Sequence, residues 1–248
     1  MELLKEKVCL VTGTSKGIGK SIAEAFAKEG AVVYANARTP KCLDDWAFEL
    51  SNKNQGKVIP LYFDITDLKA ARDAVMKIRS DEGRIDVLVN NAGMVTYEMI
   101  PMVQMETFKE MFEVNVVGAF NLLQIVSRLM TRQKSGSIIN MASIVADRGA
   151  KGQVSYATTK GAIIALTKSA AKELAPNQIR VNAVAPGMVS TKRFVEVFEN
   201  KFSDKINNIG MGRLADPQEI ADLCVFLASD MSGYVTGQII GIDGSTEL

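Results

Sequence analysis

Short apolar runs alternate with longer amphipathic segments along the chain, and this alternation predicts its secondary structure. The runs are rich in β-branched residues and have the length of strands, whereas the longer segments repeat apolar residues at helical spacing. Seven strands are predicted, over residues 7–12, 31–35, 57–63, 85–89, 136–141, 179–184 and 237–242. Helices are predicted over residues 17–29, 40–50, 67–78, 104–132 and 154–174, and a further helix is predicted to begin at Asp216.

The order of these elements predicts the fold. Strands that alternate with helices pair in parallel through right-handed crossovers, and strands that are apolar throughout are covered on both faces. We therefore expect a single-domain α/β protein, residues 1–248, in which a doubly wound Rossmann sheet of seven parallel strands carries helices on both faces. Residues 187–211 fit no strand or helix in this scheme, and we expect them to form a substrate lid.

The amino-acid composition excludes several classes of function. The chain has 248 residues and a formal net charge of +1, without the basic excess of proteins that bind nucleic acid or membrane surfaces. Its three cysteines are scattered and it contains no histidine, which excludes an imidazole metal site and any Ser-His or Cys-His catalytic pair. No signal-peptide pattern and no run of 18 apolar residues is present. We expect a cytoplasmic protein with no metal and no membrane or nucleic-acid partner.

Tyr156 and Lys160 are the first candidates for chemistry. Residues four apart on a helix lie on the same face, so the phenol and the ammonium are expected to be neighbours. A nearby cation favours phenolate and lowers the pKa of a tyrosine. A chain without histidine needs another group for proton transfer, and this pair is one solution; the alternative is an ordinary exposed pair on an amphipathic helix.

A glycine-rich turn follows the first strand and opens the first helix. Its glycines, Gly13, Gly17 and Gly19, suit a close approach of the backbone to a pyrophosphate at the helix N-terminus. Arg38 follows the end of the second strand. A carboxylate at this place would bind the free 2′-hydroxyl of the adenosine ribose and so favour NAD(H), but none is present. With Lys16 in the glycine turn, Arg38 favours NADPH/NADP+ over NAD(H); the alternative is that Arg38 is a solvated loop residue.

Several motifs together resemble the short-chain dehydrogenase/reductases over essentially the whole chain. They are residues 12–19, residues 90–93, Asn115, Ser143, Tyr156 with Lys160, and Pro186-Gly187. Within that superfamily the chain looks most like the 3-oxoacyl-(acyl carrier protein) reductases. The cues for this are residues 140–143, 180–187 and 235–238.

The resemblance implies a role for each matching residue. Tyr156 would be the general acid, Lys160 would lower its pKa and hold the nicotinamide ribose, and Ser143 would orient the substrate carbonyl. Asn115 would form a local helix break that anchors a water leading to Lys160. The cofactor would contact Tyr156 and Lys160 and a further set of residues: Gly13, Ser15, Lys16, Gly17, Ile18, Gly19, Arg38, Asp64, Ile65, Asn91, Ala92, Gly93, Pro186, Gly187, Val189 and Thr191.

Three functions follow as hypotheses. The first is NADPH-dependent reduction of a 3-oxoacyl thioester, carried by acyl carrier protein or CoA, to the 3-hydroxyacyl product. The second is interconversion of another alcohol/carbonyl pair, such as a sugar, a polyketide or a secondary metabolite. The third is a non-catalytic dinucleotide sensor, which would need only the glycine turn.

Substrate and partner surfaces can also be assigned as expectations. Apolar residues suited to an apolar carbonyl substrate are Met94, Val95, Val145, Met188, Phe194, Phe198 and Met211. A basic patch expected near the cleft, and suited to an acidic carrier protein, comprises Arg128, Arg132, Lys134 and Lys172. The resemblance also implies a homotetramer, and one face of the helix of Tyr156 carries small residues that permit close helix packing: Thr158, Ala162, Ala165 and Ser169.

Overall fold

The fold is built around one sheet of seven parallel strands. The computed structural model describes residues 2–53, 56–191 and 203–247. The strands are β1 Val8–Val11, β2 Val32–Ala37, β3 Lys57–Tyr62, β4 Val87–Asn90, β5 Gly136–Met141, β6 Ile179–Pro186 and β7 Ile239–Ile242. Their order is β3-β2-β1-β4-β5-β6-β7, with every neighbouring pair parallel. The predicted fold class and all seven predicted strands are confirmed.

The helices of the described residues connect these strands. They are α1 Gly17–Lys28, α2 Asp44–Lys53, α3 Leu68–Glu82, α4 Met105–Phe112, α5 Gly118–Gln133, α6 Val145–Arg148, α7 Val154–Leu174 and α8 Pro217–Ala228. Helix α8 begins as predicted, because the Asp216 side chain accepts from the Gln218 N–H and Glu219 closes the capping box. Helix α2 starts four residues later than predicted, after a turn in which Lys41 has a φ of 65°.

Alternate side chains of each strand enter opposite layers. Cys9 and Val11 of β1 pack with α1 and α8 on one face, whereas Val8 and Leu10 pack with α3, α5 and α7 on the other. This double burial explains why the strands read as continuous apolar runs.

One helical stretch among the described residues, Met105–Gln133, is long and apolar enough in composition to cross a membrane. This differs from the expectation that no such stretch exists. In the fold it comprises α4, a π-helical turn and α5, and α5 packs its apolar side chains against β4, β5 and α7. Core packing therefore accounts for its apolar character.

The sheet order places the functional region. The chain moves outward from β1 through β2 to β3 and then returns to β4 on the other side of β1. In such sheets the loops leaving β1 and β4 diverge, and a crevice opens at the carboxyl edge between them. Eleven of the 25 residues of the predicted lid, residues 192–202, lie outside the described part of the chain, so the lid stays a prediction.

Candidate active site

A cavity of about 270 Å³ opens at the carboxyl edge of the sheet. It joins the loop after β4, the loop after β5, the start of α7 and the segment after β6. The cavity brings together ten of the residues predicted for the site: Ile18, Asn91, Gly93, Ser143, Tyr156, Lys160, Pro186, Gly187, Val189 and Thr191.

The glycine turn fits a dinucleotide pyrophosphate. Gly13 and Gly17 have positive φ angles of 69° and 59°, and a Cβ on Gly19 would lie 2.3 Å from the Gly13 carbonyl oxygen. Side chains are therefore excluded where the backbone packs most closely. Helix α1 begins at Gly17 without a side-chain cap and with no acidic residue in its first turn, so its N-terminal N–H groups are left to an anion.

Thr12 and Asn91 join this turn to the loop after β4. The Thr12 hydroxyl accepts from the backbone N–H groups of Asn91 and Ala92, both at 2.9 Å. The Asn91 amide donates to the carbonyl oxygens of Thr12 and Gly13 at 2.8 and 3.2 Å. Asn91 and Ala92 therefore hold the shape of the cofactor end, and Thr12, which the sequence analysis did not single out as a site residue, is their partner.

The residues predicted to contact the adenosine part of the cofactor lie in the glycine turn and at the ends of β2 and β3. The side chains of Ser15, Lys16 and Arg38 are exposed there, as a contact with a ribose phosphate requires. The Asp64 carboxylate accepts from the N–H and the hydroxyl of Thr66, so it stabilises its own turn. The Ile65 side chain is buried in the core, where it packs against α5, and only its backbone is available to a cofactor.

Asn115 sits at a real break in the predicted helix over residues 104–132. Residues Glu113–Val117 form a π-helical turn between α4 and α5, and Asn115 is buried in it. Its carboxamide accepts from the Met94 N–H at 2.8 Å and donates to the Met94 carbonyl at 2.9 Å and the Thr159 hydroxyl at 3.0 Å. The expected helix break is confirmed, and its contacts reach both the loop after β4 and helix α7.

Tyr156 and Lys160 occupy adjacent turns of α7 and face the cavity together. Lys160 is only 5% exposed, and its ammonium donates to the Met141 carbonyl at 2.6 Å. The same ammonium lies 5.7 Å from the centre of the Tyr156 ring. Ser143, directly after β5, hydrogen-bonds to the Tyr156 phenol. Three of the four predicted catalytic residues therefore meet at one point.

We expected Lys160 to lower the pKa of Tyr156. For the protein without a bound cofactor this expectation is wrong. Burial, with a smaller contribution from the nearby Tyr97 phenol, raises the pKa of Tyr156 to about 12, and the hydrogen bond with Ser143 offsets only part of this. Burial also lowers the pKa of Lys160 to about 8. The reason is that the ammonium is bonded to the Met141 carbonyl and desolvation dominates both groups.

Much of the cavity wall is apolar, as expected for an apolar substrate. Met94, Val95, Val145 and Met188 are among the residues that line it. Met211 does not line it, because its side chain is 71% exposed to solvent. Phe194 and Phe198 lie outside the described residues. Two polar residues that the sequence analysis did not select, Tyr97 and Gln153, also line the cavity.

The basic patch lies elsewhere than expected. Arg128 and Arg132 are on the last turns of α5, and Lys172 is on the last turn of α7. Both helices run back to the start of the next strand, so these side chains lie at the amino edge of the sheet. The expectation that the patch borders the cleft of its own chain is wrong, since the cleft is at the carboxyl edge.

Comparison with known proteins agrees with this geometry. A family model described as enoyl-(acyl carrier protein) reductase matches residues 13–245. A 3-oxoacyl-[acyl-carrier-protein] reductase of Thermotoga maritima is 43% identical over 241 residues, which cover 97% of this chain and 98% of that protein. A crystal structure of a 3-oxoacyl-[acyl-carrier protein] reductase from Brucella melitensis superposes with a TM-score of 0.93 at 31% identity, covering 100% of this chain and 93% of that one.

A second Brucella melitensis structure of a reductase with the same description contains bound NAD. It has a TM-score of 0.91 and 31% identity, and the match covers 100% of this chain and 93% of that one. The chain belongs to the short-chain dehydrogenase/reductase family. Its members bind a nicotinamide dinucleotide and interconvert a carbonyl and an alcohol, so this protein is an oxidoreductase and the sensor hypothesis is not supported.

The cavity has two regions that the predicted roles would use differently. The glycine turn, held by Thr12 and Asn91, would hold the dinucleotide phosphates, and Ser143, Tyr156 and Lys160 would face the reacting carbonyl. The dinucleotide would supply the hydride when bound, and the protein would supply orientation and a proton.

The buried Lys160 ammonium should reduce the stability of this reductase. Its pKa of about 8 in the folded protein is below the ordinary 10.5, so the unfolded chain binds the proton more tightly. Lys160→Met should therefore raise the free energy of unfolding by about 1–3 kcal/mol near neutral pH. The gain should shrink as the pH rises from 8 towards 10.5, because lysine is then neutral in both states.

Urea unfolding of the cofactor-free protein at several pH values measures this difference. Comparing variant with wild type cancels the titration of all other groups. A difference that does not vary between neutral pH and 10.5 would contradict the assignment of a buried, charged Lys160.

Proposed function

We propose that this protein reduces the ketone of a 3-oxoacyl thioester with NADPH and releases the 3-hydroxyacyl product. The observation that carries the proposal is the hydrogen-bonded pair of Ser143 and Tyr156 inside a largely apolar cavity. Two hydroxyl groups converge there on the place of one carbonyl oxygen. The 3-oxoacyl-(acyl carrier protein) reductases among the relatives support the same substrate class.

Tyr156 is the proton donor in this proposal. With a pKa of about 12 the phenol is protonated at neutral pH, which is the form that a reduction requires. As the carbonyl carbon receives hydride, its oxygen becomes an alkoxide, a much stronger base than phenolate. The Tyr156 hydroxyl then gives its proton to that oxygen while Ser143 keeps a hydrogen bond to it.

Lys160 acts after the proton has moved. The reaction leaves a phenolate on Tyr156, and a protonated Lys160 on the adjacent helical turn stabilises that charge. In the low-dielectric interior this attraction is stronger than in water. Lys160 is therefore proposed to stabilise the phenolate that forms during turnover, whereas in the cofactor-free protein burial dominates and the pKa of Tyr156 is raised. Its ammonium would also bind the nicotinamide ribose.

Two other reactions are less well supported. The matched family model is described as an enoyl reductase, but relatives that align over nearly the whole chain are described as 3-oxoacyl reductases. A sugar substrate would bring several hydroxyl groups into a cavity lined in large part by apolar side chains, among them Met94, Val95, Val145 and Met188. Those side chains offer no hydrogen bonds to replace the lost water.

The preference for NADPH is proposed from charge. Arg38 and Lys16 are exposed at the adenosine end, and a 2′-phosphate would gain two cationic partners there. The related Brucella melitensis structure with bound NAD shows that a relative accepts the cofactor without that phosphate. The contribution of Arg38 is therefore the point on which the two cofactors are expected to differ.

A carrier protein is the proposed source of the acyl group, because relatives are described as acyl-carrier-protein reductases. Arg128, Arg132 and Lys172 lie at the sheet edge opposite the cleft of their own chain. Docking through them therefore requires the cleft of a second chain. This links the carrier proposal to the proposed homotetramer, which a monomer in sedimentation experiments would contradict.

The proposed cytoplasmic location agrees with the state of the cysteines. Cys9, Cys42 and Cys224 are all unpaired, although Cys9 and Cys224 are buried in the same core layer. Unpaired thiols are typical of proteins in reducing compartments.

Removal of one hydroxyl tests the proton donor. Tyr156→Phe keeps the ring beside Lys160 and removes only the group that gives the proton. We expect the kcat for acetoacetyl-CoA with NADPH to fall by at least about 100-fold, the usual contribution of a positioned general acid. The affinity for NADPH, measured by titration, should change little because the ribose contact of Lys160 is kept.

Tyr234→Phe, at a fully exposed position, is the control. A Tyr156→Phe enzyme with near-normal turnover would reject this role.

Charge reversal tests the carrier surface. Arg132→Glu with Lys172→Glu should weaken the use of an acetoacetyl carrier protein, seen as a KM at least about fivefold higher, because two attractive charges become repulsive. The kcat/KM for acetoacetyl-CoA should stay close to wild type. Lys28→Glu on the opposite sheet face is the control. Unchanged activity on the carrier-bound substrate would reject the docking surface.

A further inference from the structure

Tyr97 is a second phenol in the active-site cavity, and proton transfer does not account for it. It lies in the loop after β4 and lines the same cavity as Ser143 and Tyr156. It is close enough that a charge on its phenol acts on that of Tyr156. The side chain therefore stands beside the reacting end of the cavity.

The loop that carries Tyr97 is held on both sides of this residue. On one side, Asn115 bonds both the N–H and the carbonyl of Met94, at 2.8 and 2.9 Å. On the other side, the Glu98 N–H donates to the Gly152 carbonyl at 2.8 Å. Gly152 belongs to the segment that leads into α7, so the backbone at Tyr97 is fixed relative to Tyr156.

Tyr97 differs from most of the other polar side chains that line the cavity in where it lies. Asn91 is committed to the backbone of the glycine turn, and Thr191 lies against Gly17 at the cofactor end. Beyond Ser143 and Tyr156 the cavity wall is mostly apolar, and Tyr97 is one of two uncharged polar side chains there, with Gln153. A phenol in such a wall favours ligands that present an oxygen acceptor.

The proposed substrate has such an acceptor close to its ketone. In a 3-oxoacyl thioester the two carbonyl carbons are separated by a single CH₂ group. When the ketone oxygen is bound by Ser143 and Tyr156, the thioester oxygen therefore stays within the same cavity. A simple ketone has no second oxygen and so cannot make this additional hydrogen bond.

We propose that the Tyr97 hydroxyl donates a hydrogen bond to the second carbonyl oxygen of a 1,3-dicarbonyl substrate and so determines the preference for 3-oxoacyl groups over simple ketones. The inference rests on the proposed function and extends it, because it assigns substrate selection to a residue that takes no part in proton transfer.

The test compares two substrates of equal chain length in Tyr97→Phe and wild type. Ethyl acetoacetate has seven chain atoms and a second carbonyl oxygen; 2-heptanone has the same chain length, with CH₂ groups in place of both the second carbonyl and the ester oxygen. With saturating NADPH, Tyr97→Phe should lower the kcat/KM for ethyl acetoacetate by about three- to tenfold, as for one neutral hydrogen bond. The kcat/KM for 2-heptanone should change by less than about twofold. Tyr234→Phe again serves as the control.

Each other outcome has a defined meaning. If Tyr97→Phe leaves both substrates unchanged, the ring only bounds the cavity and the inference is overturned. Equal losses on both substrates also overturn it, since Tyr97 would then act through Tyr156. A wild type that reduces both equally well overturns the inference alone, whereas a wild type inactive on acetoacetyl-CoA overturns the proposed function first.

Discussion

The carboxamide of Asn115 is the interaction on which the geometry of the site depends. It joins three segments that are far apart in sequence: the loop after β4 through Met94, the π-helical turn that carries Asn115 itself, and helix α7 through Thr159. Thr159 in turn donates to the carbonyl of Tyr156. A regular α-helix through residues 113–117 would rotate the amide away from these partners, which explains the local break.

The same amide holds one side of the loop that carries Tyr97. The Met94 side of this loop is bonded to Asn115 and the Glu98 side to Gly152, so its backbone is anchored on both sides of Tyr97. An unpaired polar group buried at this point would cost about 1–3 kcal/mol, so the bonds also stabilise the fold. The hydrogen bonds of Asn115 therefore both position the loop after β4 and stabilise the fold.

Lys160 shows the opposite relation between stability and function. Its ammonium is almost fully buried and is bonded to the Met141 carbonyl rather than to a carboxylate. This arrangement opposes folding, yet it leaves a cation with strong electrostatic reach beside Tyr156. The proposed stabilisation of a transient phenolate needs such a charge, and the apolar core on both faces of the seven-stranded sheet supplies the compensating burial.

Much of the fold was predictable because the strands are buried on both faces and read as continuous apolar runs. The glycine turn and Tyr156 with Lys160 were predictable for a similar reason, since each needs a particular residue type at a fixed spacing. The start of α2 was missed because it depends on one left-handed residue, Lys41.

Other features of the site could not be predicted, because they depend on where side chains lie in the folded protein and not on their spacing in the sequence. Burial raises the pKa of Tyr156 despite the nearby cation, and the basic patch of α5 and α7 lies at the far edge of the sheet. Tyr97 lies in a loop with no periodic pattern, and only the cavity shows its relation to Tyr156.

The central claim is that this chain is an NADPH-dependent reductase of 3-oxoacyl thioesters. The most direct test is a set of initial rates for acetoacetyl-CoA, an acetoacetyl carrier protein, a simple ketone and a sugar lactone, each with NADPH and with NADH, followed by the absorbance of the reduced nicotinamide. The account predicts the highest kcat/KM for the acetoacetyl thioesters with NADPH. A preference for NADH would contradict the role of Arg38 and Lys16, and a preference for the simple ketone or the sugar lactone would contradict the assigned substrate.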